Sequence, residues 1–270
     1  MAKGWISLSV YDGDSSGSTY RTKIRDGHFF ITGQLTQTAV AELNHSSFNA
    51  PLVFMIDPTT ITMEIDEGKT EQSRIKGCKS NSEYRIIREE WLRSHSNDLL
   101  NTAYAPLLLY YHSDEKMVLD HFDKLVPHPT TKYHFNLLKE KKEALAATTE
   151  GGQMPDVVFV DNKRRRQHLD SLRNDSLPSL FIITASYCHA NDSIVWQAQQ
   201  SNLSPIVYQI DDDKRGWDSP CLKQLSVDHI PFLILIDVDG TILARDLRRW
   251  EIAKTADYHF SSKKKTAHSR

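Results

Sequence analysis

The order of segments in the second half of the chain limits the fold more than any other feature of the sequence. From Pro155 onward, apolar runs of strand length alternate with segments of helical period, and the last two runs are joined by a turn that contains Asp239 and Gly240. This order is typical of a mixed sheet flanked by helices, because helices cover the apolar faces of the central strands. The sequence therefore predicts an α/β fold here. The expected strands are residues 157–160, 179–184, 205–210, 231–236 and 241–244, and the expected helices are residues 192–200 and 219–225.

The first part of the chain has a different pattern of apolar and polar residues. Period-two runs such as residues 5–11 are separated by turn-forming residues, which predicts a small antiparallel β domain with a further strand at residues 28–32. Helical spacing of Tyr84, Ile87 and Trp91 then indicates a helical connector. The expected organisation is an N-terminal β domain at residues 1–80, a helical connector at 81–149, an α/β domain at 150–258 and a flexible basic tail at 259–270.

Composition excludes several classes of protein. The 33 basic and 35 acidic residues give a formal charge of -2, which lacks the positive field of a nucleic-acid-binding protein. Ten Phe, ten Tyr and five Trp exclude disorder along the whole chain, and three widely separated cysteines exclude a disulfide scaffold. No apolar run reaches the roughly 18 residues of a transmembrane helix, and no secretory leader is recognisable. We therefore expect no membrane span and no nucleic-acid partner. The histidines lack the spacing of metal ligands, so neither a metal nor another cofactor is expected.

The most informative chemical signal follows the apolar run at residues 179–184. Cys188 lies there, between the predicted strand and the predicted helix. At a helix N-terminus the backbone N–H groups and the helix dipole stabilise a thiolate. Cys188 is therefore a candidate nucleophile, and the neighbouring His189 is a candidate for helping to hold the thiolate. A lone cysteine is equally consistent with a small buried apolar side chain, so both interpretations remain open.

The same half of the chain resembles the thioredoxin-like domains of the TlpA/ResA branch, bacterial cell-envelope thiol–disulfide proteins related to the AhpC/TSA (alkyl-hydroperoxide-reductase) group. Four landmarks occur in the family's order. They are residues 151–161 at the opening of the domain, residues 185–188 (ASYC) before the active site, Ile230-Pro231 at the cis-proline, and residues 234–245 in the final hairpin. The resemblance implies a thioredoxin fold and thiol–disulfide exchange with a protein or peptide. It also implies that Pro231 borders the thiol and contacts the substrate backbone.

A second resemblance lies near the start of the chain. Residues 24–33 (IRDGHFFITG) resemble the "dGkFxFxG" stretch of a β domain of unassigned function. That domain often precedes a thioredoxin-like domain in Bacteroidetes-type envelope proteins, with a helical connector between the two. The resemblance implies a periplasmic or cell-envelope location. Because such proteins usually carry a leader, which is not recognisable in this chain, a cytoplasmic location also stays open.

The candidate active site departs from the family pattern. A disulfide oxidoreductase of this kind needs C-x-x-C, so that the second thiol can resolve the mixed disulfide formed by the first. Residues 188–191 read CHAN, and Asn191 replaces the resolving cysteine. Three hypotheses remain for this degenerate site. Cys188 acts alone in thiol-redox chemistry, or Cys221 resolves it from the predicted short helix, or the domain is a non-catalytic module whose groove between Cys188 and Pro231 binds a peptide or protein. The sequence leaves open whether the protein is an enzyme.

A remote alternative is suggested by residues 237–241, which match the D-x-D-G-T signature of haloacid-dehalogenase-type phosphatases. In that chemistry Asp237 would attack phosphorus and Asp239 would act as the general acid and base, with Mg²⁺ neutralising the phosphate. The favoured interpretation is a β-hairpin turn, because Asp-Gly pairs supply the positive φ that such turns need.

Overall fold

The chain divides into two compact units, Met1–Glu140 and Lys141–Arg270. The computed structural model describes residues 3–13, 17–161 and 163–267. Most of the expected connector, residues 81–149, belongs to the N-terminal unit. Residues 259–267, which were expected to form a flexible tail, continue the last helix, and residues 268–270 lie outside the described residues.

The N-terminal unit is built on a four-stranded antiparallel sheet. Its strands are β1 Gly4–Tyr11, β2 Ser18–Ile24, β3 Ala39–Asn44 and β4 Leu52–Ile56, in the order β2-β1-β3-β4. A further pair consists of β5 Thr62–Glu64 and β6 Arg74–Lys76. The helices are α1 Lys79–Ser94, α2 Ala105–His112 and α3 Glu115–His121, and a fourth helix, α4 Lys132–Ala147, begins in this unit and ends in the C-terminal one. Ile6, Leu8 and Val10 are buried on one face of the sheet, because alternate side chains of a strand share a face.

The expected strand at residues 28–32 is a loop. Its apolar alternation is present, since Phe29 and Ile31 pack against the core of the sheet while Phe30 is 78% exposed. Its backbone, however, joins no strand of the described chain, and His28 forms only an isolated bridge with Arg25. The prediction was wrong because a period of two reports which side chains are covered, and a loop lying on a sheet produces the same pattern as a strand within it.

The C-terminal unit contains a mixed four-stranded sheet, as the sequence predicts. Its strands are β9 Ser179–Thr184, β10 Ser204–Gln209, β11 Phe232–Ile236 and β12 Ile242–Arg245, in the order β10-β9-β11-β12. The strands β7 Val158–Val160 and β8 Arg166–His168 pair separately. The helices are α5 Leu169–Leu172, α6 Asn191–Gln200, α7 Pro220–Gln224 and α8 Ile252–Ala267. Among the described residues of either unit, no helix combines the length and apolar character that crossing a membrane requires.

The central strands β9 and β11 are buried along their whole length. Alternate side chains of β9 enter different apolar clusters. Phe181 and Ile183 join a cluster that includes residues of β7 and α7, whereas Leu180 and Ile182 join one that includes residues of α6 and α8. Because both faces of the sheet are covered, these strands read as continuous apolar runs, and for that reason they were recognisable from the sequence.

The strand directions bring four chain segments to one edge of this sheet. The parallel strands β9 and β10 both end there, and the antiparallel β11 begins there, with Phe232 paired to Ile183. The strand β12 ends there as well, because Arg245 pairs with Ile234. We call this edge the site edge and define it by residues 185–190, 210–212, 228–231 and 246–248.

Candidate functional site

Cys188 lies at the site edge, in the loop between β9 and α6. Its side chain is partly exposed, and the flanking Tyr187 and His189 are exposed. The N–H of Cys188 donates to the carbonyl of Ala185 over 3.0 Å, which closes a tight turn. The helix begins at Asn191, so Cys188 lies in the loop just before the first helical residue.

Both ends of the Asn191 side-chain amide are engaged. Its Nδ2 donates to the carbonyl of Ala185 over 2.9 Å, and its Oδ1 accepts a hydrogen bond from the hydroxyl of Thr184. These bonds tie the start of α6 to the end of β9 and close the loop that carries Cys188. The Asn191 side chain, which has no thiol, therefore makes structural contacts.

A carboxylate from the neighbouring loop holds the same segment. Asp211, which follows β10, accepts a hydrogen bond from the backbone N–H of Ser186 over 2.9 Å and another from the Ser186 hydroxyl. The hydroxyl and the N–H favour the charged carboxylate and lower the pKa of Asp211. Asp211 thereby joins the two loops that follow the parallel strands of the sheet.

Pro231 lies immediately before β11, at the same edge. The Ile230–Pro231 peptide bond is cis. Because Phe232 pairs with Ile183 in the ladder, Pro231 lies beside Thr184, the last residue of β9. The sheet therefore brings the predicted nucleophile, which follows β9 in the chain, and the predicted proline to the same end of two neighbouring strands.

A charged cluster surrounds the segment that leads to Pro231. His229 lies between two carboxylates, with its Nδ1 2.9 Å from Asp228 Oδ1 and its Nε2 2.9 Å from Asp246 Oδ1. The Nζ of Lys141 is 3.2 Å from Asp228 Oδ2. The hydrogen bond that His229 donates to Asp228 and the charge of Asp246 raise the pKa of His229. The hydrogen bond that Asp228 accepts from His229, together with the charge of Lys141, lowers the pKa of Asp228 to about 2.

The order of these parts decides the fold. A strand leads through a cysteine-bearing loop into a helix, and the next strand lies parallel to the first. The chain then returns through an antiparallel strand that follows Pro231, a hairpin and a terminal helix. The C-terminal unit has a thioredoxin-like fold. Cys188 lies in the loop between β9 and α6, and Asn191 is the first residue of α6.

Solved structures similar to this chain include proteins from Bacteroides species. A thioredoxin-like protein from Bacteroides caccae is 20% identical, with 65% of this chain and 76% of that chain covered and a TM-score of 0.41. The thioredoxin domain of a thiol-disulfide oxidoreductase from Bacteroides vulgatus is 15% identical, with 41% and 97% covered and a TM-score of 0.31. A thiol-disulfide oxidoreductase from Bacteroides fragilis is 20% identical, with 36% and 90% covered and a TM-score of 0.31. No family profile and no curated protein matches the sequence. The thioredoxin-like domain is therefore recognised by its strand order.

The other two cysteines are buried and free. Cys221, in α7, is 1% exposed within an apolar cluster, and burial raises the pKa of its thiol to about 12. Cys78 is 4% exposed, and its Sγ donates to the carbonyl of Met55 over 3.1 Å. Burial also raises the pKa of the Cys78 thiol. Neither exposure nor acidity favours Cys221 as the thiol that would resolve a disulfide at Cys188.

The two aspartates of the D-x-D-G-T match belong to the hairpin turn between β11 and β12. The Oδ1 of Asp237 accepts a hydrogen bond from the N–H of Val238 over 2.8 Å, and the Oδ1 of Asp239 accepts one from the N–H of Thr241 over 2.9 Å. Gly240 has a φ of +91°, which the turn requires. Both carboxylates thus support the turn. In the described part of the chain, no group of three or more His, Cys, Asp or Glu is placed to hold a metal ion.

Sequence reasoning did not single out Thr184, Asp211 or His229 as parts of the site. Asp211 stands in a run of three aspartates, and His229 is one of twelve histidines, so residue type alone does not distinguish them. Their shared signal is position, since each lies at or near the end or the start of a predicted strand. Because the ends of neighbouring strands gather at one edge of a sheet, that position is the feature by which they could have been found.

Proposed function

We propose that this protein is a thiol-redox protein that acts through one cysteine, Cys188, in thiol–disulfide exchange with a protein or peptide. The main support is the difference among the three cysteines. The side chain of Cys188 is partly exposed, whereas Cys78 and Cys221 are almost completely buried. A thiol must be accessible to exchange with a disulfide. Asn191, held by the end of β9, offers no second thiol.

The proposed reaction is an exchange in which electrons balance. The Cys188 thiolate attacks one sulfur of the partner's disulfide, a new S–S bond forms to Cys188, and the original S–S bond breaks. The second sulfur leaves as a thiolate, which takes up the proton that Cys188 released. A separate thiol, from the partner or from a small thiol compound, later attacks the mixed disulfide and returns Cys188 to the thiol form. The exposed His189, next to Cys188 in the chain, is proposed to help hold the thiolate.

The test is the reaction of the full chain with 5,5′-dithiobis(2-nitrobenzoate), a small disulfide whose leaving thiolate absorbs light. We expect the native protein to release one equivalent of thiolate and to keep a stable mixed disulfide, and we expect Cys188→Ser to release none. Asn191→Cys restores the second thiol, so it should release a second equivalent and form an internal disulfide. A native protein that releases no thiolate before it unfolds, or a Cys188→Ser variant that reacts as fast as the parent, would contradict the proposal.

A second candidate is a non-catalytic binding module at the groove between Cys188 and Pro231. It is favoured by exposed aromatic side chains at or next to the site edge, because Tyr187 is 64% exposed and Trp250 is 73% exposed. Large aromatic side chains are enriched in binding surfaces. The discriminating measurement is the binding of a cysteine-free aromatic peptide by fluorescence anisotropy. A binding module keeps this affinity in Cys188→Ser and loses it in Trp250→Ala, whereas exchange through Cys188 predicts no affinity for such a peptide.

We further propose that the protein works in the periplasm or cell envelope. The support is the resemblance of both halves of the chain to envelope thiol–disulfide proteins, together with the general preference of disulfide chemistry for oxidising compartments. Fractionation of the cells that produce the protein tests this, and recovery with the periplasmic or envelope fraction is expected. Recovery with the cytoplasmic fraction would contradict it.

A further inference from the structure

The ring of His229 is placed between two carboxylates, and that geometry fixes its charge state. Each ring nitrogen is 2.9 Å from a carboxylate oxygen, Nδ1 from Asp228 and Nε2 from Asp246. An ionised carboxylate only accepts hydrogen bonds, and a neutral imidazole has a single N–H to donate. Both contacts can therefore exist together only when His229 is an imidazolium with an N–H at each nitrogen.

The surroundings of the ring supply further charges. Lys141 contacts Asp228 at 3.2 Å, and Arg248 lies 3.9 Å from Asp246. On another side the ring of His229 meets the ring of Phe232 edge-on, with centroids 5.3 Å apart, and the guanidinium of Arg245 lies 5.0 Å from the centroid of the Phe232 ring. Asp228 thus keeps a close cation of its own in Lys141, whereas Asp246 depends more on His229.

We propose that His229 is a protonation-controlled clasp that holds the segment before Pro231 to the segment after β12, and thereby regulates access to Cys188. This regulation rests on the proposed function of Cys188. The two joined segments belong to the site edge, where Pro231 lies beside Thr184 at the end of β9. When the ring loses a proton, one of its nitrogens becomes an acceptor facing a carboxylate, and one of the two contacts must break.

The direction of the effect follows from the charges. The two carboxylates raise the pKa of His229, so the clasp is closed at acidic pH and opens as pH rises through that raised value. Opening releases Asp246 more readily than Asp228, because Lys141 still holds Asp228. The residue next to Asp246 reports on this change, since the N–H of Leu247 donates to the carbonyl of Leu233 over 3.3 Å.

The first measurement is hydrogen exchange of the Leu247 amide by NMR, in the full chain carrying Cys188→Ser so that no thiol chemistry intervenes. We expect His229→Gln to exchange several-fold faster than its parent at about pH 5.5, because a Gln amide cannot donate to two carboxylates at once, and we expect the two rates to converge at alkaline pH. His168→Gln is the matched control, because His168 meets a single carboxylate, 2.8 Å away on Asp156, and should leave the rate unchanged. Equal rates in His229→Gln and its parent at acidic pH would overturn the clasp.

The second measurement is the rate at which a bulky maleimide labels Cys188, compared between the wild-type chain and His229→Gln at each pH. Taking the ratio of the two rates removes the pH dependence that comes from ionisation of the Cys188 thiol, because both proteins share it. We expect wild-type labelling to be several-fold slower at about pH 5.5 and equal at alkaline pH. A ratio that does not change with pH overturns the regulation. If Cys188 is unreactive in both proteins at every pH, the proposed function fails, and the Leu247 measurement still decides the clasp.

Discussion

The Asn191 side chain is a structural part of the loop that carries Cys188. It makes two hydrogen bonds at the end of β9 and offers no thiol, so the proposed exchange at Cys188 has no internal route for resolving a mixed disulfide. The site therefore has one accessible sulfur and a loop held in place by polar contacts. Asp211 also stabilises this loop, through the hydrogen bonds that it accepts from Ser186.

The first prediction concerns the bonds made by Asn191. Replacing Asn191 with Ala leaves the Ala185 carbonyl and the Thr184 hydroxyl without these partners, so we expect the free energy of unfolding to fall by about 1–3 kcal/mol. Urea denaturation measures the change. Gln199→Ala, at an exposed position of the same helix, is the control and should stay within about 0.5 kcal/mol of the wild type. Equal stability of the two variants would show that the Asn191 bonds do not hold the loop.

The second prediction concerns the charged cluster around His229. A histidine whose pKa is raised on folding contributes stability that is fully present below its unfolded value, about 6.5, and is lost as pH rises through the raised value. Asp228, with its pKa lowered to about 2, contributes stability that is present above its ordinary value and is lost as pH falls towards 2. The difference in Tm between the wild type and His229→Gln should therefore be largest between about pH 4 and 6.5. A difference in Tm that grows towards alkaline pH would contradict the prediction, because the contribution of His229 should be lost there.

At the scale of elements, the sequence predicted the buried strands well and the loop on the N-terminal sheet poorly. Residues 179–184 form β9 as predicted, and β11 begins one residue later than expected. Both strands are buried on two faces, and they therefore appear in the sequence as continuous apolar runs that are easy to recognise. Residues 28–32 lie on a sheet without joining it, and side-chain alternation cannot report on backbone pairing. The contacts at the site edge were also beyond sequence reasoning, because Asp211 meets Ser186 from 25 positions away.

The third prediction concerns β9, which carries the site loop. Phe181 is fully buried and its ring lies 5.3 Å from the ring of Phe159. We expect Phe181→Ala to lower the free energy of unfolding by about 3–5 kcal/mol, because it removes a large buried side chain and leaves a cavity. Val207→Ala, on the neighbouring strand β10 where the side chain is 38% exposed, serves as the control and should cost much less. Similar losses in the two variants, measured by urea denaturation, would mean that β9 is not a central strand of the core.

At the scale of the whole molecule, the chain combines an N-terminal β-sheet unit with a unit of thioredoxin-like fold. Its three cysteines differ sharply in their exposure to solvent. Two of the three thiols are enclosed, one in each unit, and burial raises the pKa of both. The proposed chemistry therefore depends on a single position of the folded chain. Unfolding should remove this selectivity, because all three thiols then meet solvent.

The most direct test of the account is to map where a small disulfide attaches to the native chain. The folded protein is treated with 5,5′-dithiobis(2-nitrobenzoate), excess reagent is removed, and the digested chain is examined by mass spectrometry under non-reducing conditions. The account predicts an adduct on Cys188 and none on Cys78 or Cys221, with all three modified when the reaction is repeated in denaturant. An unmodified Cys188 in the native chain, or an adduct on either buried cysteine at a comparable rate, would contradict it.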